Sequence, residues 1–463
     1  MSDDLFTLDQ AASWIEGARV VGAGHSPVAR VHTDSRSLKP GDLFVALKGE
    51  HFDGHAFLGQ LSALGVQCAM AEHGLEPAGL QGLQVPNTRK ALGQLAQGWR
   101  RSLPLKHLLA VTGSNGKTTV TQMLASILRA QDGDASLSTQ GNFNNDIGVP
   151  LTLLRLRPSH RCAVLELGMN HPGEIQQLAQ WAQPTVALVN NAQREHQEFM
   201  QSVRAVALEN GAVLDALPRD GVAVFAADDP HTPLWRELAG PRKTLTFGAA
   251  GDVLVTQQQA TPLGWQATLG GPAVSGEFKI ELAMPGEHNL RNAMAASAYA
   301  LAAGISPANI VQGLARFQPV SGRSHAMVVQ RHGKPITLVD DTYNANPDSV
   351  RAAIDVLAQL PGPQLLILGD MGEVGDQGPE FHREVGRYAQ TRGIRHVLTH
   401  GTLAALAAQA HGSAHHHDSF EDLCQEAQRL CDGVGSVLIK GSRFMKMERV
   451  VQRLQQDQEK TTC

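Results

Sequence analysis

The chain has 463 residues, of which 42% are hydrophobic and 18% charged, and its formal net charge is −5 at pH 7. Its length suggests about three domains, and its slightly acidic balance gives no reason to expect nucleic-acid binding. The five cysteines form no C-x-x-C pair, the acidic start (residues 1–4) lacks the apolar core of a signal peptide, and no apolar run approaches the roughly 20 residues that span a bilayer. We expect a cytoplasmic monomer that acts on small molecules.

Residues 1–86 are typical of a small N-terminal α/β domain. Short β-like runs such as residues 42–47 alternate with turns rich in charged residues and histidine, at residues 34–36 and 52–55. On residue types alone, these turns indicate solvated loops.

Residues 87–319 predict a central domain built on a parallel sheet. Its apolar runs have the length and continuous hydrophobicity of buried parallel strands, at residues 108–112, 162–167, 186–190 and 222–226. Helical patterns after the first two runs predict βαβ units. Residues 251–284 instead predict a small antiparallel part, and residues 289–303 predict a helix that ends at Gly304.

Residues 320–463 predict a C-terminal, Rossmann-like, doubly wound α/β domain. Its expected strands are residues 336–339, 365–368, 396–399 and 436–439. Helical segments such as residues 348–360 separate them. The histidine run at residues 415–417 lies in a polar segment without spaced partner ligands, so we expect a solvated loop rather than a metal site.

The most informative segment is an apolar run followed by Gly113-Ser114-Asn115-Gly116-Lys117-Thr118-Thr119. A strand, a glycine-bounded loop and a helix in this order predict a phosphate-binding loop, because backbone N–H groups and the helix N-terminus attract anions. The loop is shorter than the common G-x-x-x-x-G-K-[ST] pattern, since Val111 stands where the first glycine is expected. We expect Lys117 to bind the terminal phosphates and the Thr118 hydroxyl to bind Mg²⁺.

Two further polar residues follow predicted strands. Glu166 lies at the end of the run 162–167, where its carboxylate is a candidate Mg²⁺ ligand or a group that caps or pairs at the strand end. His196 follows the run 186–190, and a lone histidine in such a loop is more often structural or solvated. These residues alone predict a protein that uses ATP or GTP at a central P-loop domain with flanking α/β domains.

Together with the short loop, six other segments resemble the Mur ligase superfamily, whose members are ATP-dependent ligases that join an amino acid or peptide to a carboxylate. The segments are residues 139–150, 166–170, 286–293, 340–347, 368–373 and 440–443. The Tyr343-Asn344 segment is the most specific of them, and the resemblance covers essentially the full length of the chain.

The resemblance implies a role for each matching residue. ATP would be bound by Gly113, Ser114, Asn115, Gly116, Lys117, Thr118 and Thr119, with Asn289 and Asn292 at the adenine and Arg323 and Asp341 reaching in from the third domain. Thr118, Glu166 and His196 would bind Mg²⁺. The UDP end of the substrate would lie at Ser35, Arg36, Asp53 and His55, and its other contacts would come from Thr139, Asn142, Asn144, Asn145, Tyr343, Asn344 and Asn346.

The resemblance further implies a reaction. D-alanyl-D-alanine would be joined to UDP-N-acetylmuramoyl-tripeptide through an acyl phosphate, giving the pentapeptide precursor of peptidoglycan, ADP and phosphate. Another Mur ligase activity, a folylpolyglutamate synthetase-like amide ligation, and a non-ligating P-loop switch are the alternatives. We also expect the third domain to swing onto the loop, because Arg323 and Asp341 could not otherwise meet ATP.

Two departures from the family pattern stand close together. Many Mur ligases use a carbamylated lysine as an anionic metal ligand, but Asn210 occupies the matching position and no lysine occurs between Lys117 and Lys243. We hypothesise that Glu209 supplies the missing carboxylate. The expected catalytic residues are then Lys117, Glu166, His196 and Glu209. The alternative is that Glu209 is a surface residue of the helix. The second departure is Glu195-His196-Gln197, where the family more often has Ala-His-Leu.

Overall fold

The computed structural model describes residues 4–261 and 263–459. Its N-terminal part consists of β1 (Phe6–Thr7), α1 (Leu8–Trp14), β2 (Arg19–Val21), β3 (Pro27–Val28), β4 (Arg30–His32), β5 (Asp42–Val45), β6 (Cys68–Ala71) and β7 (Gln81–Gln84). Strands β2-β7-β6-β5-β4 form a five-stranded sheet in this order, parallel except for the β2–β7 pair, and β1 pairs with β3. The elements up to β7 thus form a small α/β unit, the class that the sequence predicts for this part of the chain.

The central part begins with a helix that packs beneath its sheet. The elements are α2 (Thr88–Ser102), β8 (His107–Thr112), α3 (Lys117–Asp132), β9 (Ser136–Ser138), α4 (Gly148–Leu153), β10 (Cys162–Glu166), α5 (Glu174–Ala182), β11 (Val186–Val189), α6 (Gln197–Met200), α7 (Val203–Asp215), β12 (Val222–Ala226), α8 (Thr232–Ala239), β13 (Lys243–Phe247), β14 (Leu254–Thr261), β15 (Gly264–Gly270), β16 (Phe278–Leu282), α9 (Glu287–Ala302) and α10 (Pro307–Arg316). The four predicted strands and the predicted helix after β8 are confirmed, while β9 and β13 at the two sheet edges were not predicted.

The central sheet is parallel throughout, with the order β13-β12-β11-β8-β10-β9. Strand β8 is buried on both faces because Leu108 and Ala110 pack into one core and Leu109 and Val111 into the other. The predicted antiparallel part is also confirmed, since β14, β15 and β16 form a separate antiparallel sheet. This order places the phosphate-binding loop between the chain segments that leave β10 and β11, at the carboxyl edge where α/β proteins bind ligands.

The C-terminal part is a second mostly parallel sheet flanked by helices. The elements are β17 (His325–Arg331), β18 (Lys334–Asp341), α11 (Pro347–Gln359), β19 (Gln364–Gly369), α12 (Gly378–Thr391), β20 (His396–His400), α13 (Ala404–His411), β21 (His415–His416), α14 (Phe420–Cys431), β22 (Ser436–Lys440) and α15 (Glu448–Glu459). The order is β17-β18-β22-β19-β20-β21, with only β17 antiparallel. This confirms the doubly wound class, whereas the domain boundaries at residues 86 and 319 stay predictions.

Two expectations about single segments changed. The histidine run, expected to be a loop, supplies the short edge strand β21, whose pairing with β20 satisfies backbone groups that a loop would leave to water. Among the described residues, no helix combines the length and apolar character needed to cross a bilayer. Cys463 lies outside the described residues, and Cys68, Cys162 and Cys424 are free thiols.

Candidate active site

The phosphate-binding loop joins β8 to α3 through two glycines in left-handed backbone conformations. Gly116 has φ +83° and directly precedes α3. A Cβ atom on it would lie 2.4 Å from Oδ1 of Asn292, so only glycine fits between the loop and α9. The resulting turn exposes the N-terminus of the 16-residue α3, where unpaired N–H groups favour an anion.

Lys117 is the first residue of α3, and its ammonium group lies against the loop. Its Nζ donates to the carbonyl oxygens of Gly113 at 2.5 Å and Ser114 at 3.0 Å, and it lies 3.2 Å from Oε2 of Glu195. The side chains of Lys117 and Glu195 are only 14% and 8% exposed. Little water screens this pair, so the positive charge is held beside the loop where a phosphate would bind.

A second loop, which follows β11, supports the first. Nδ2 of Asn190 donates to the carbonyl of Asn115 at 2.8 Å, and Oδ1 of Asn191 accepts from the N–H of Asn115 at 2.9 Å. Gln193 and Ser114 bond each other through backbone and hydroxyl groups, and Oε1 of Gln193 accepts from Nδ2 of Asn115. Asn190, Asn191 and Gln193 were not among the site residues expected from the sequence, although a polar run directly after a buried parallel strand was a usable signal.

A cavity of about 1050 Å³ opens in front of this loop and is bordered by all three domains. Most predicted site residues line it: Ser114, Asn115, Gly116, Lys117, Thr118, Thr119, Asn142, Asn144, Asn145, Glu166, His196, Asn289, Asn292, Arg323, Asp341, Tyr343, Asn344 and Asn346. The N-terminal domain adds Glu50, the start of α2 in the central domain adds Arg89, and the C-terminal domain adds Lys440. Residues more than 200 positions apart in sequence thus face one space.

The donor set on one wall of the cavity suits Mg²⁺. Glu166 is 3% exposed, and its Oε1 accepts from Nδ2 of Asn144 at 2.8 Å, which fixes the carboxylate at the end of β10. The Thr118 hydroxyl lies on the same cavity at the start of α3. Within residues 4–261 and 263–459 no cluster of three or more His, Cys, Asp or Glu could hold a metal alone. One carboxylate and one hydroxyl fit an ion that takes its remaining ligands from phosphate and water.

His196 faces the third domain across the cavity. Its Nδ1 lies 2.8 Å from Oε2 of Glu373, and its Nε2 lies 4.0 Å from Oε2 of Glu195. The hydrogen bond from His196 lowers the pKa of Glu373 below its ordinary value, with burial acting in the opposite direction. The polar neighbours of His196 therefore place a histidine and two carboxylates together at the domain junction.

The start of α9 forms another wall. Asn289 donates from Nδ2 to the carbonyl of Pro285 at 2.7 Å, and Oδ1 of Asn292 accepts from Nδ2 of Asn190 at 3.0 Å. Both asparagines are at least 94% buried and border the cavity. His288 beside them has a lowered pKa because burial disfavours its charged form. The side chains are thus fixed by internal bonds before any ligand binds.

The third domain contributes a cationic and aromatic surface. The Arg323 guanidinium lies 4.0 Å from the centroid of the Tyr343 ring, and Nζ of Lys440 lies 2.6 Å from Oδ2 of Asp341. Nδ2 of Asn346 donates to Oδ1 of Asn115 in the phosphate-binding loop at 2.9 Å. The third domain therefore already touches the loop in this structure.

Comparisons with known proteins agree with this architecture. Three Mur ligase models match the chain in order: the Mur ligase family catalytic domain over residues 27–100, the middle domain over 111–300 and the glutamate ligase domain over 322–443. The UDP-N-acetylmuramoyl-tripeptide–D-alanyl-D-alanine ligase of Escherichia coli (strain K12) is 40% identical over 432 residues, which cover 92% of this chain and 94% of that protein. The chain belongs to the Mur ligase family.

Solved structures of Mur ligases show the same fold over nearly the whole length. A crystal structure of MurF from Acinetobacter baumannii matches with a TM-score of 0.89 at 35% identity, covering 97% of this chain and 99% of that one. The MurF ligase from Thermotoga maritima in complex with ADP matches with a TM-score of 0.83 at 26% identity, covering 93% and 98%. The three-domain α/β class predicted from the sequence is confirmed.

The structure gives Glu209, the hypothesised substitute for the carbamylated lysine, hydrogen bonds to a helix end rather than a place on the cavity. Glu209 lies on α7, and its two carboxylate oxygens accept from the backbone N–H groups of Gly173 and Ile175, each at 2.8 Å. Glu209 is therefore the capping carboxylate of α5, and it does not line the cavity. The neighbouring Asn210 faces the phosphate-binding loop instead, and its Oδ1 accepts from the N–H of Gly113 at 2.9 Å.

Two more predicted residues serve the scaffold instead of the cavity. Thr139 is 1% exposed, and its hydroxyl accepts from the N–H of Glu166 at 3.0 Å, so in this structure it supports the end of β10. The Gly113 amide, expected to face phosphate, is already bonded to Asn210. The loop therefore has fewer N–H groups for a ligand than its sequence suggested.

The predicted residues of the N-terminal domain lie away from the cavity lining. Arg36, 87% exposed, pairs with Asp34, and Ser35 lies in the same turn. His55 uses both ring nitrogens, with Nδ1 2.6 Å from Asp53 and Nε2 accepting from the N–H of Glu72. Their role in binding the UDP end of a substrate stays a prediction.

Proposed function

We propose that this Mur ligase uses ATP to join D-alanyl-D-alanine to UDP-N-acetylmuramoyl-tripeptide. The observation that carries the proposal is the single cavity in which the phosphate-binding loop, the Glu166 carboxylate and the third-domain cations meet. A non-ligating switch needs only the nucleotide end of such a cavity. The cavity lining also includes Arg89 and Tyr343, which lie on elements other than the phosphate-binding loop.

The chemistry has two steps. A carboxylate oxygen of the tripeptide attacks the γ-phosphorus of ATP, and the bond between this phosphorus and the β,γ-bridging oxygen breaks. The products of this step are ADP and the acyl phosphate of the tripeptide. The dipeptide amine then attacks the acyl carbon, the tetrahedral intermediate expels phosphate, and the amine loses a proton to solvent. Negative charge moves onto oxygen atoms in both steps, so fixed positive groups lower the barriers.

The residues of this chain have distinct tasks in these steps. Lys117 and the α3 N-terminus bind the phosphates, while Arg323 and Lys440 approach from the third domain. Thr118 and Glu166 would hold Mg²⁺, which supplies Lewis-acid stabilisation of the phosphate charge when bound. Asn289 and Asn292 are fixed in position to contact the adenine.

We also propose that the enzyme acts as a monomer in the cytoplasm. One chain provides residues on every side of the cavity, so a partner subunit is not needed to complete it. Cys68, Cys162 and Cys424 are free thiols, as expected in a reducing compartment where ATP is available. Light scattering coupled to size-exclusion chromatography at assay concentration measures the oligomeric state.

The decisive experiment measures ADP release as a function of both acceptor and dipeptide. We expect multiple-turnover ADP release only when UDP-N-acetylmuramoyl-tripeptide and D-alanyl-D-alanine are both present, with a product heavier than the tripeptide substrate by one dipeptide less one water. Ligation of single amino acids, glutamate included, in place of the dipeptide would indicate another amide ligase. ADP release without either substrate would indicate a switch, and each of these results would overturn the proposal.

A further inference from the structure

The loop after β11 makes contacts on two sides. On one side, Asn190, Asn191 and Gln193 bond the phosphate-binding loop, as described above. On the other side, the next residues turn toward the third domain. We call residues 190–196 the bridging segment, because they form hydrogen bonds both to the phosphate-binding loop and to the third domain.

Arg194 makes the strongest of the contacts to the third domain. Its guanidinium donates to Asp348 at 2.6 Å and to Glu384 at 2.7 Å, and its backbone N–H donates to Asp348 at 2.9 Å. Its side chain is 24% exposed, and the guanidinium lies 5.2 Å from the centroid of the Phe381 ring. One planar group thus engages two carboxylates of the third domain and an aromatic ring, a geometry that lysine cannot reproduce.

Arg194 and the carboxylates of the third domain shift each other's pKa values. The hydrogen bond to Arg194 lowers the pKa of Glu384, and Arg351 of the same domain adds to the effect. In turn, Glu384 and Asp348 raise the pKa of Arg194, while burial opposes them. Arg351 reaches Glu384 from α11 at 2.9 Å, so Glu384 has one cation from its own domain and one from the bridging segment.

Two residues with left-handed backbone conformations meet at the same junction. His196 and Glu373, in contact across the domains, have φ values of +47° and +57°, which non-glycine residues seldom adopt. Strained residues persist only where the surrounding contacts hold them, and they are common at switch regions. The contact between His196 and Glu373 therefore joins two backbones that the surrounding structure holds in uncommon conformations.

We propose that Arg194 is a positioning residue that couples the phosphate-binding loop to the docked third domain. The pairs with Asp348 and Glu384 keep Arg323, Asp341 and Asn346 in front of the loop. Nucleotide that fixes the loop also fixes the bridging segment, and so favours the docked arrangement. The inference rests on the proposed function for its kinetic test but not for its structural test.

The experiment compares Arg194→Met, Arg194→Lys and Glu384→Gln with a matched control, Arg351→Met. The control removes a guanidinium from the same carboxylate without touching the domain junction. Each full-length variant is checked for folding by its thermal transition. Small-angle scattering with a non-hydrolysable ATP analogue, equilibrium binding of that analogue, and kcat and KM for the dipeptide are then measured.

We expect Arg194→Met to lower kcat by about tenfold or more and to enlarge the radius of gyration. Analogue affinity should also fall, because docking and nucleotide binding favour each other reciprocally, but by a smaller factor than kcat. Arg194→Lys should have a kcat between those of Arg194→Met and the wild type, because an ammonium group cannot bond both carboxylates with the planar geometry of a guanidinium. Combining Arg194→Met with Glu384→Gln should cost less than the two single effects together. Arg351→Met should resemble the wild type.

Unchanged scattering and kcat in Arg194→Met would overturn the inference, as would an equal effect of Arg351→Met. An affinity loss that fully accounts for the lower turnover would also overturn it, since Arg194 would then act on nucleotide binding alone. If the wild type fails to ligate D-alanyl-D-alanine, the proposed function fails, and the scattering comparison still decides the role of Arg194.

Discussion

Glu209 offers a direct test of whether a carboxylate caps a helix or binds a metal. Replacement by alanine removes two charge-assisted hydrogen bonds to Gly173 and Ile175 at the N-terminus of α5. At about 1.5 kcal/mol for each bond, the expected loss of unfolding free energy is about 3 kcal/mol. Glu209→Gln keeps one acceptor oxygen and turns an N–H toward the other donor, so it should lose about half as much.

The assay has a stability arm and a metal arm. If the central domain unfolds as one unit, its thermal transition should fall by about 6–12 °C in Glu209→Ala. The control Glu237→Ala, an exposed carboxylate on α8, should change the unfolding free energy by less than about 0.5 kcal/mol. The Mg²⁺ concentration for half-maximal turnover should stay at its wild-type value in every variant, because Glu209 does not line the cavity.

The opposite pattern would refute this reasoning. An unchanged thermal transition in Glu209→Ala, together with a higher Mg²⁺ requirement, would mean that the carboxylate binds metal in the working enzyme. The hypothesis drawn from the sequence would then stand, and the capping bonds would not describe the active state.

Three further predictions concern other parts of the chain. Lys117→Met should lower ADP release about 100- to 1,000-fold at saturating substrates, because it removes the charge beside the loop; a smaller loss would contradict the phosphate-binding role. Tyr299→Phe should cost about 1–2 kcal/mol in denaturant unfolding, because the fully buried hydroxyl lies 2.8 Å and 2.6 Å from two strand carbonyls of the central sheet. Burial lowers the pKa of His382, so the stability it provides is complete above its ordinary pKa near 6.5 and is lost as the pH falls below it. Unfolding free energy should therefore fall less between about pH 7.5 and pH 5.5 in His382→Gln than in the wild type, and equal slopes would contradict this.

Local sequence patterns determined the fold class and the nucleotide loop. The continuous apolar strands, the G-x-x-G-K-T loop and the capped helices depend on neighbours a few residues away, and the structure reproduces them within one or two residues. The edge strands β9, β13 and β21 were not predicted, because short, half-exposed strands lack a continuous apolar run. The role of the bridging segment was not predicted for another reason. Its partners, the loop near residue 115 and the third domain beyond residue 340, are distant in sequence, so no local pattern indicates them.

Glu209 and Asn210 separate the two kinds of information most clearly. The sequence established by itself that no lysine occurs in this helix and that a carboxylate stands one position before the expected site. Which of the two neighbours faces the nucleotide loop was decided by the tertiary structure. Successive helix residues point about 100° apart, so the packing of α7 turned Asn210 toward Gly113 and Glu209 toward α5. A one-residue choice of face depends on how helices pack, and no local pattern contains it.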